Sequence, residues 1–222
     1  MTLPMQTRIK ICGITRVDDG LAAAHAGADA IGLNFWAGTP RVVAVERARA
    51  IVAALPPFVS IVGLFVDPSA DHVRATLAAV PLDLLQFHGS EPPEFCRAFG
   101  RRYVKALPVA AGAPAAGLLE CAQRYEDAAG LLFDAPPAAG LPGGTGRTFD
   151  WSTLPKGLPQ PVVLSGGLSA RNVAAAIRCV RPWAVDVSSG VEAQDAAGRP
   201  VKGVKDPARI AAFIEEVRNA DG

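Results

Sequence analysis

Short apolar runs alternate with alanine-rich helical stretches from one end of this chain to the other, and no other feature limits its fold so tightly. "RIKIC" precedes "VDDGLAAAHAG", "ADAIGLNF" precedes "AVERARAIVAAL", and "FVSIVGLFV" precedes "SADHVRATLAAV". The pattern continues through "PLDLLQFH" and "SEPPEFCRAFG", "RRYVKAL" and "PAAGLLECAQRY", "AGLLFDA" and "TFDWSTLP", "QPVVLSG" and "SARNVAAAIRCV", then "WAVDVSS" and "DPARIAAFIEEV". Helices are expected to start at Ser, Thr, Asp or Glu and to stop near Gly or Pro. Alternation at this period predicts a parallel sheet. Eight strand–helix units in 222 residues predict the α/β class and a single (β/α)8 TIM barrel, residues 1–222, with 1–7 as a loose extension. An open doubly wound sheet competes, but the first strand lacks its G-x-G-x-x-G turn. The Pro/Gly stretch 135–147 sits inside the alternation and reads as a loop.

Half of the residues are hydrophobic, enough for a sizeable core without disulfides or metals. Lys plus Arg number 22 against 21 Asp plus Glu, which leaves no broad basic face for nucleic acid. The first ten residues lack the apolar core of a signal peptide, and no apolar run approaches the roughly 18–20 residues of a membrane span. Cys12, Cys96, Cys121 and Cys179 lie far apart with no CxxC pairing, against both a zinc knuckle and a compact disulfide framework. A cytoplasmic protein is expected.

Polar residues then mark a site. Barrel sites lie at the carboxyl ends of the strands, and side chains alternate faces along each strand. With Ile9 and Ile11 facing the helices, Lys10 and Cys12 point inward. The same parity turns Asn34, Gln86, His88, Asp134, Asp186 and Ser188 inward. Cys12, Asn34, His88, Asp134 and Ser188 therefore converge on one mouth from different strands. Taken singly, each has a plainer explanation. A free Cys often packs as a small hydrophobe, His88 suits an orienting role better than that of a base, and Asn34 can cap its loop. Lys10 and Asp186, on strands that adjoin when the barrel closes, are candidates for an internal ion pair or a direct role. Asp134 is harder to dismiss, because a carboxyl ending a buried strand needs a partner or a task.

Glycine gives the second signal. "LSGGL" (164–168) ends the seventh strand and "VSSGVE" (187–192) the eighth. Backbone N–H groups in such turns form an anion cradle, and barrels frequently hold phosphate between these two loops. Arg41, in "GTPRVV" after the second strand, can clamp a carboxylate in bidentate fashion. "GGTGRTF" (143–149) reads as a water-excluding lid.

These motifs carry a resemblance. "KICGIT", "GADAIGL", "TPR", "GLFV", "LLQFHG", "LLFDA", "GGTGRTFDW", "LSGGL", "AVDVSSGVE" and "GVKD" stand in the order found in the phosphoribosylanthranilate isomerase family of tryptophan biosynthesis, from about Arg8 to Val217. The chain is identified as a member by its similarity to that family, whose fold is the (β/α)8 barrel. The resemblance implies that Cys12 is the general base and Asp134 the general acid. It implies that Arg41 contacts the anthranilate carboxylate, with His88, Asp186, Gly143, Gly144 and Gly146 also at the substrate. The turns at Gly166–Gly167 and Ser188–Ser189–Gly190 would hold the sugar phosphate. Two departures stand out: Asn34 occupies a position more usually apolar, and "EAQDAAGRPVKGVKD" (192–206) is longer than the family's common form.

The implied reaction is an Amadori rearrangement of a phosphorylated aminosugar, N-(5′-phosphoribosyl)anthranilate, to an aminoketose. Asp134 would protonate the furanose oxygen, which a dry strand end favours. Cys12 would remove the C2′ proton as a thiolate, favoured by Lys10 or by the substrate's own iminium. No metal or redox cofactor is implied, and the partner expected is this small molecule, with the protein a monomer or weak homodimer. The related histidine-pathway isomerase uses carboxylates as both acid and base, so Cys12 argues against it. Indole-glycerol-phosphate synthase would need further catalytic Lys and Glu residues. A catalytically inactive phosphate-binding barrel would have little use for both Cys12 and Asp134.

Overall fold

A computed structural model describes residues 6–110, 115–136 and 148–222. Eight parallel strands close in chain order into a barrel. They are β1 (Arg8–Cys12), β2 (Ala30–Asn34), β3 (Ser60–Phe65), β4 (Leu84–Phe87), β5 (Tyr103–Pro108), β6 (Gly130–Asp134), β7 (Val162–Leu164) and β8 (Ala184–Val187). The seam pairs β1 with β8, Lys10 opposite Asp186. The helices are α1 (Val17–Ala26), α2 (Val45–Ala54), α3 (Ala70–Ala79), the short α4 (Pro93–Arg97), α5 (Ala115–Arg124), α6 (Val173–Val180) and α7 (Pro207–Asp221). No helix among the described residues is long and apolar enough to cross a membrane.

Strand parity sorts the side chains as the alternation predicts. Ile9, Ile11, Ile31, Leu33, Leu85, Phe87, Leu131, Phe133, Val185 and Val187 belong to one core between sheet and helices. Val104, Ala106 and Leu132 form a second, smaller cluster, with Leu84 and Val163 packed against it. The fully buried Phe65, Phe87, Phe133 and Phe213 are each worth roughly 1.5–3 kcal/mol of transfer free energy. Lys105 breaks the parity rule, since its position puts a charge on the helix-facing side. It is tolerated there because Glu91 pairs with it at 2.8 Å, both side chains being only 2% exposed.

Two expectations need correction, and two further segments gain detail. The segment after β6 holds a 3-10 turn, Trp151–Thr153, rather than a helix; Pro155, Gly157, Pro159 and Pro161 follow too closely for one to extend. Among the described starts of the α-helices, Ser69 and Asp206 cap with a side chain as predicted; α1, α2, α4 and α6 begin without such a bond. The long segment after β8 is an antiparallel hairpin, β9 (Glu192–Gln194) with β10 (Pro200–Lys205). Finally, Thr7 is buried: its backbone N–H donates to Asp221 Oδ2 at 2.8 Å and its hydroxyl to Oδ1 at 2.6 Å. The expected loose extension is therefore pinned at that residue.

The bore is divided. A cavity of about 430 Å³ opens at the amino ends of the strands, walled by residues such as Val62, Leu84, Val104, Leu132 and Val163. Lys10 and Gln86 also line it.

Candidate active site

Beyond that division lies a cleft at the carboxyl ends of the strands. Cys12, Asn34, Arg41, His88, Asp134, Asp186 and Ser188 all line it, with Gln86 and Trp36. The structure thus brings together the side chains that parity alone assigned to one mouth. Gly143, Gly144 and Gly146 lie outside the described residues.

Cys12 ends β1 beside Lys10. Lys10 Nζ donates to Asp186 Oδ1 at 2.7 Å, the predicted ion pair, and Ser165 Oγ donates to Asp186 Oδ2 at 3.3 Å. Burial is the largest influence on the Lys10 ammonium and works to lower it, but Asp186 and Cys12 together hold the group above its ordinary value. For Cys12, burial is the largest influence and pushes the thiol up. Lys10 and Lys205 pull it down without reversing the direction, and Asp186 adds to the rise. Lys10 thus serves both the Asp186 carboxylate and, in part, the Cys12 sulfur, and the expectation that Lys10 or the substrate's iminium favours the thiolate keeps both its alternatives.

Asp134 ends β6. Its Oδ1 accepts from the Ala135 N–H at 2.8 Å, and its Oδ2 faces His88 Nε2 at 3.3 Å. The other ring nitrogen of His88 lies 3.0 Å from Gln86 Nε2. Asn34 Oδ1 accepts from the Trp36 N–H at 2.9 Å, so it caps the loop that carries Arg41.

Arg41 departs from the picture of an exposed loop arginine. It is buried, donating from Nε to Glu192 Oε1 at 2.6 Å and from Nη2 to Oε2 at 2.9 Å. Glu192 also accepts from the Gly203 N–H at 2.9 Å and faces Lys205 Nζ at 3.6 Å. Burial would raise the Glu192 carboxyl, but Arg41, Lys205 and Gly203 together hold it below its ordinary value. Lys205 donates to Ser188 O at 3.0 Å and is pulled down to about 8 by burial, against the attraction of Glu192. Parity arguments missed Glu192 and Lys205 because neither belongs to a barrel strand. Both stand in motifs that carry the resemblance, "AVDVSSGVE" and "GVKD", and the unusual length of 192–206 was a further signal pointing to them.

A small adjoining pocket is lined by Gly166, Gly167, Ser188 and Ser189 together with Asp134 and Asp186. Gly166 and Gly167 have φ of +85° and +65°, a region costly for any residue with a Cβ. Their N–H groups donate to no carbonyl among the described residues. Asn172 braces the turn, its Nδ2 donating to Gly167 O at 3.0 Å and its Oδ1 accepting from the Ser169 N–H at 2.8 Å. Gly190 packs against the backbone of Leu168 and Ser169, so the two glycine turns lie in contact.

Fold and mouth together are those of a (β/α)8-barrel enzyme that works at the carboxyl ends of its strands. Its kinship is specific. Residues 9–216 match the family described as N-(5'phosphoribosyl)anthranilate (PRA) isomerase, and the chain belongs to that family. It is 56% identical over 213 residues to the N-(5'-phosphoribosyl)anthranilate isomerase of Azotobacter vinelandii, covering 96% of this chain and 98% of that one. The crystal structure of phosphoribosyl anthranilate isomerase from Thermotoga maritima superposes with a TM-score of 0.82 at 37% identity, covering 96% and 99%. A structure of the isomerase in complex with reduced 1-(o-carboxyphenylamino)-1-deoxyribulose 5-phosphate gives 0.78 at 35% identity, covering 96% and 99%.

Proposed function

We propose that this mouth carries out its family's isomerisation with Cys12 as general base and Asp134 as general acid. The chain is an isomerase of L-tryptophan biosynthesis, converting N-(5′-phosphoribosyl)anthranilate to 1-(2-carboxyphenylamino)-1-deoxyribulose 5-phosphate. Asp134 gives a proton to the furanose oxygen as the C1′–O bond breaks, its electron pair going to that oxygen and leaving an iminium. Cys12 takes the C2′ proton, and the C–H pair forms the enolamine double bond. Loss of the C2′ hydroxyl proton and protonation at C1′ then give the ketone. Every step is a proton transfer, so no cofactor enters.

The observation that carries this reading is the convergence of Cys12 and Asp134 on one cleft, with a glycine cradle adjoining Asp134. Gly166, Gly167, Ser188, Ser189 and Gly190 hold the phosphate, mainly through backbone. One Arg41 nitrogen, Nη1, is not used by Glu192 and serves the anthranilate carboxylate; Asp186 acts through Lys10. The setting is a reducing cytoplasm, in keeping with four free cysteines. At the opposite face, Phe58 is fully exposed at φ +71° beside the amino-end cavity. A single displayed ring does not make a docking face, and the protein is read as a monomer or weak homodimer.

The test is a set of variants assayed by the loss of substrate fluorescence. Cys12→Ala and Asp134→Asn should keep product binding and lower turnover by at least ~100-fold. Cys12→Ser should be nearly as impaired as Cys12→Ala, since its hydroxyl is hardly ionised near neutral pH. Close to full turnover in Cys12→Ser would show that the thiol only packs.

A further inference from the structure

We propose that Gln86 is a positioning residue which fixes the tautomer of His88 and thereby aims an N–H at the general acid. The proposal rests on Asp134 acting as that acid. Gln86 is 1% exposed and lines both the amino-end cavity and the catalytic cleft. Its register neighbours on the flanking strands, Leu64 and Val104, are apolar. A buried amide among such neighbours needs a reason.

The reason lies in what an amide nitrogen can do. Gln86 Nε2 stands 3.0 Å from His88 Nδ1. It has two hydrogens and no acceptor capacity, so Nδ1 must present its lone pair. In the neutral ring the proton then sits on Nε2, the nitrogen that faces Asp134 Oδ2 at 3.3 Å. As Asp134 releases its proton to the substrate, negative charge develops on its carboxyl. The Ala135 N–H already meets Oδ1, and in this tautomer His88 meets Oδ2. The other tautomer would turn a lone pair toward that growing charge. Donors set in place before charge develops lower the barrier, and loss of one typically costs ~100-fold or more in turnover. Gln86 acts through the ring.

The charged and titratable groups around the pair are Cys12, Arg41 and Asp186 in the cleft, and Lys10 at the bore. None of them makes a hydrogen bond to His88 Nδ1 among the described residues, so Gln86 alone sets that nitrogen.

The experiment is a long-range ¹H–¹⁵N correlation spectrum of the free enzyme, tractable because the chain has three histidines. The wild-type protein should show His88 with Nδ1 unprotonated and Nε2 protonated at neutral pH. Gln86→Met should give mixed tautomers, with kcat lowered at least ~10-fold and KM nearly unchanged. Gln86→Glu can only accept, so it should move a proton onto Nδ1. A wild-type ring protonated at Nδ1 overturns the proposal, and this needs no variant to fold. An unchanged tautomer or unchanged kcat in a folded Gln86→Met protein overturns it too. The spectrum is read without substrate, so a wild-type enzyme that failed to turn over would sink the isomerase mechanism and leave the tautomer result standing.

Discussion

Arg41 and Glu192 meet fork to fork, Nε to Oε1 at 2.6 Å and Nη2 to Oε2 at 2.9 Å, across 151 residues of chain. One residue comes from the loop after β2, the other from the start of β9. The pair is out of water, so removing one partner strands the other's charge. Glu192→Ala should destabilise the protein by about 3–5 kcal/mol and release the Arg41 loop. Thermal unfolding reads the first effect and a raised KM the second. Arg41→Ala should weaken a carboxylated substrate analogue much more than one lacking the carboxylate; equal losses would leave Arg41 a purely structural role.

Cys12 should be a poor nucleophile in the free enzyme. Its ionisation lies above the ordinary thiol value because of burial, so the fold favours the protonated form. That contribution to stability is complete below the ordinary thiol range and is lost as pH rises through the elevated value. Alkylation by iodoacetamide, followed peptide by peptide, should be slower at Cys12 than at the exposed Cys179 near pH 7 and should quicken only once pH passes beyond the ordinary thiol range. Rapid labelling of Cys12 at neutral pH would contradict the raised ionisation of the thiol in the free enzyme.

Gly32 should matter as much as the residues that do chemistry. It sits opposite Cys12 on β2, and a Cβ there would lie 2.8 Å from the sulfur and 3.2 Å from Lys10 Cε. Gly32→Ala should therefore shift the thiol. A misplacement on the order of 1 Å can cost ~100-fold in rate, so kcat should fall by between ~10-fold and ~100-fold while the barrel still folds. Unimpaired turnover would mean that the sulfur has freedom to move.

The cradle should fail when its backbone is crowded. Gly167 has φ +65°, and Gly167→Val adds both strain and a branched side chain where phosphate approaches. Binding of a phosphate-bearing product analogue should fall sharply with little change in circular dichroism. Retained affinity would move the phosphate elsewhere.

The barrel and the inward set of residues were legible because two periods coincide: strand parity repeats every second residue, and strand–helix units repeat along the whole chain. Cys12, His88, Asp134 and Asp186 end up where counting puts them. Glu192, Lys205 and Gln160 lie off the eight barrel strands, where the barrel's parity does not apply. The buried Gln160 donates to Ala122 O and Tyr125 O at 2.8 and 3.1 Å. The state of the thiol was also out of reach, since it depends on how Lys10 divides its charge between a carboxylate and a sulfur. That division is settled by distance, which a sequence does not carry.

The clasp between Thr7 and Asp221 has a topological consequence. It brings the two ends of the folded unit to one spot, where Arg218 Nη1 also donates to Thr7 O at 3.0 Å. A ring of eight staves has no natural first stave once its ends are joined. A circular permutant, tied by a short linker across this clasp and opened in a surface loop, would keep every strand beside its present neighbours. The order in which the staves are made would change, and the hoop would not.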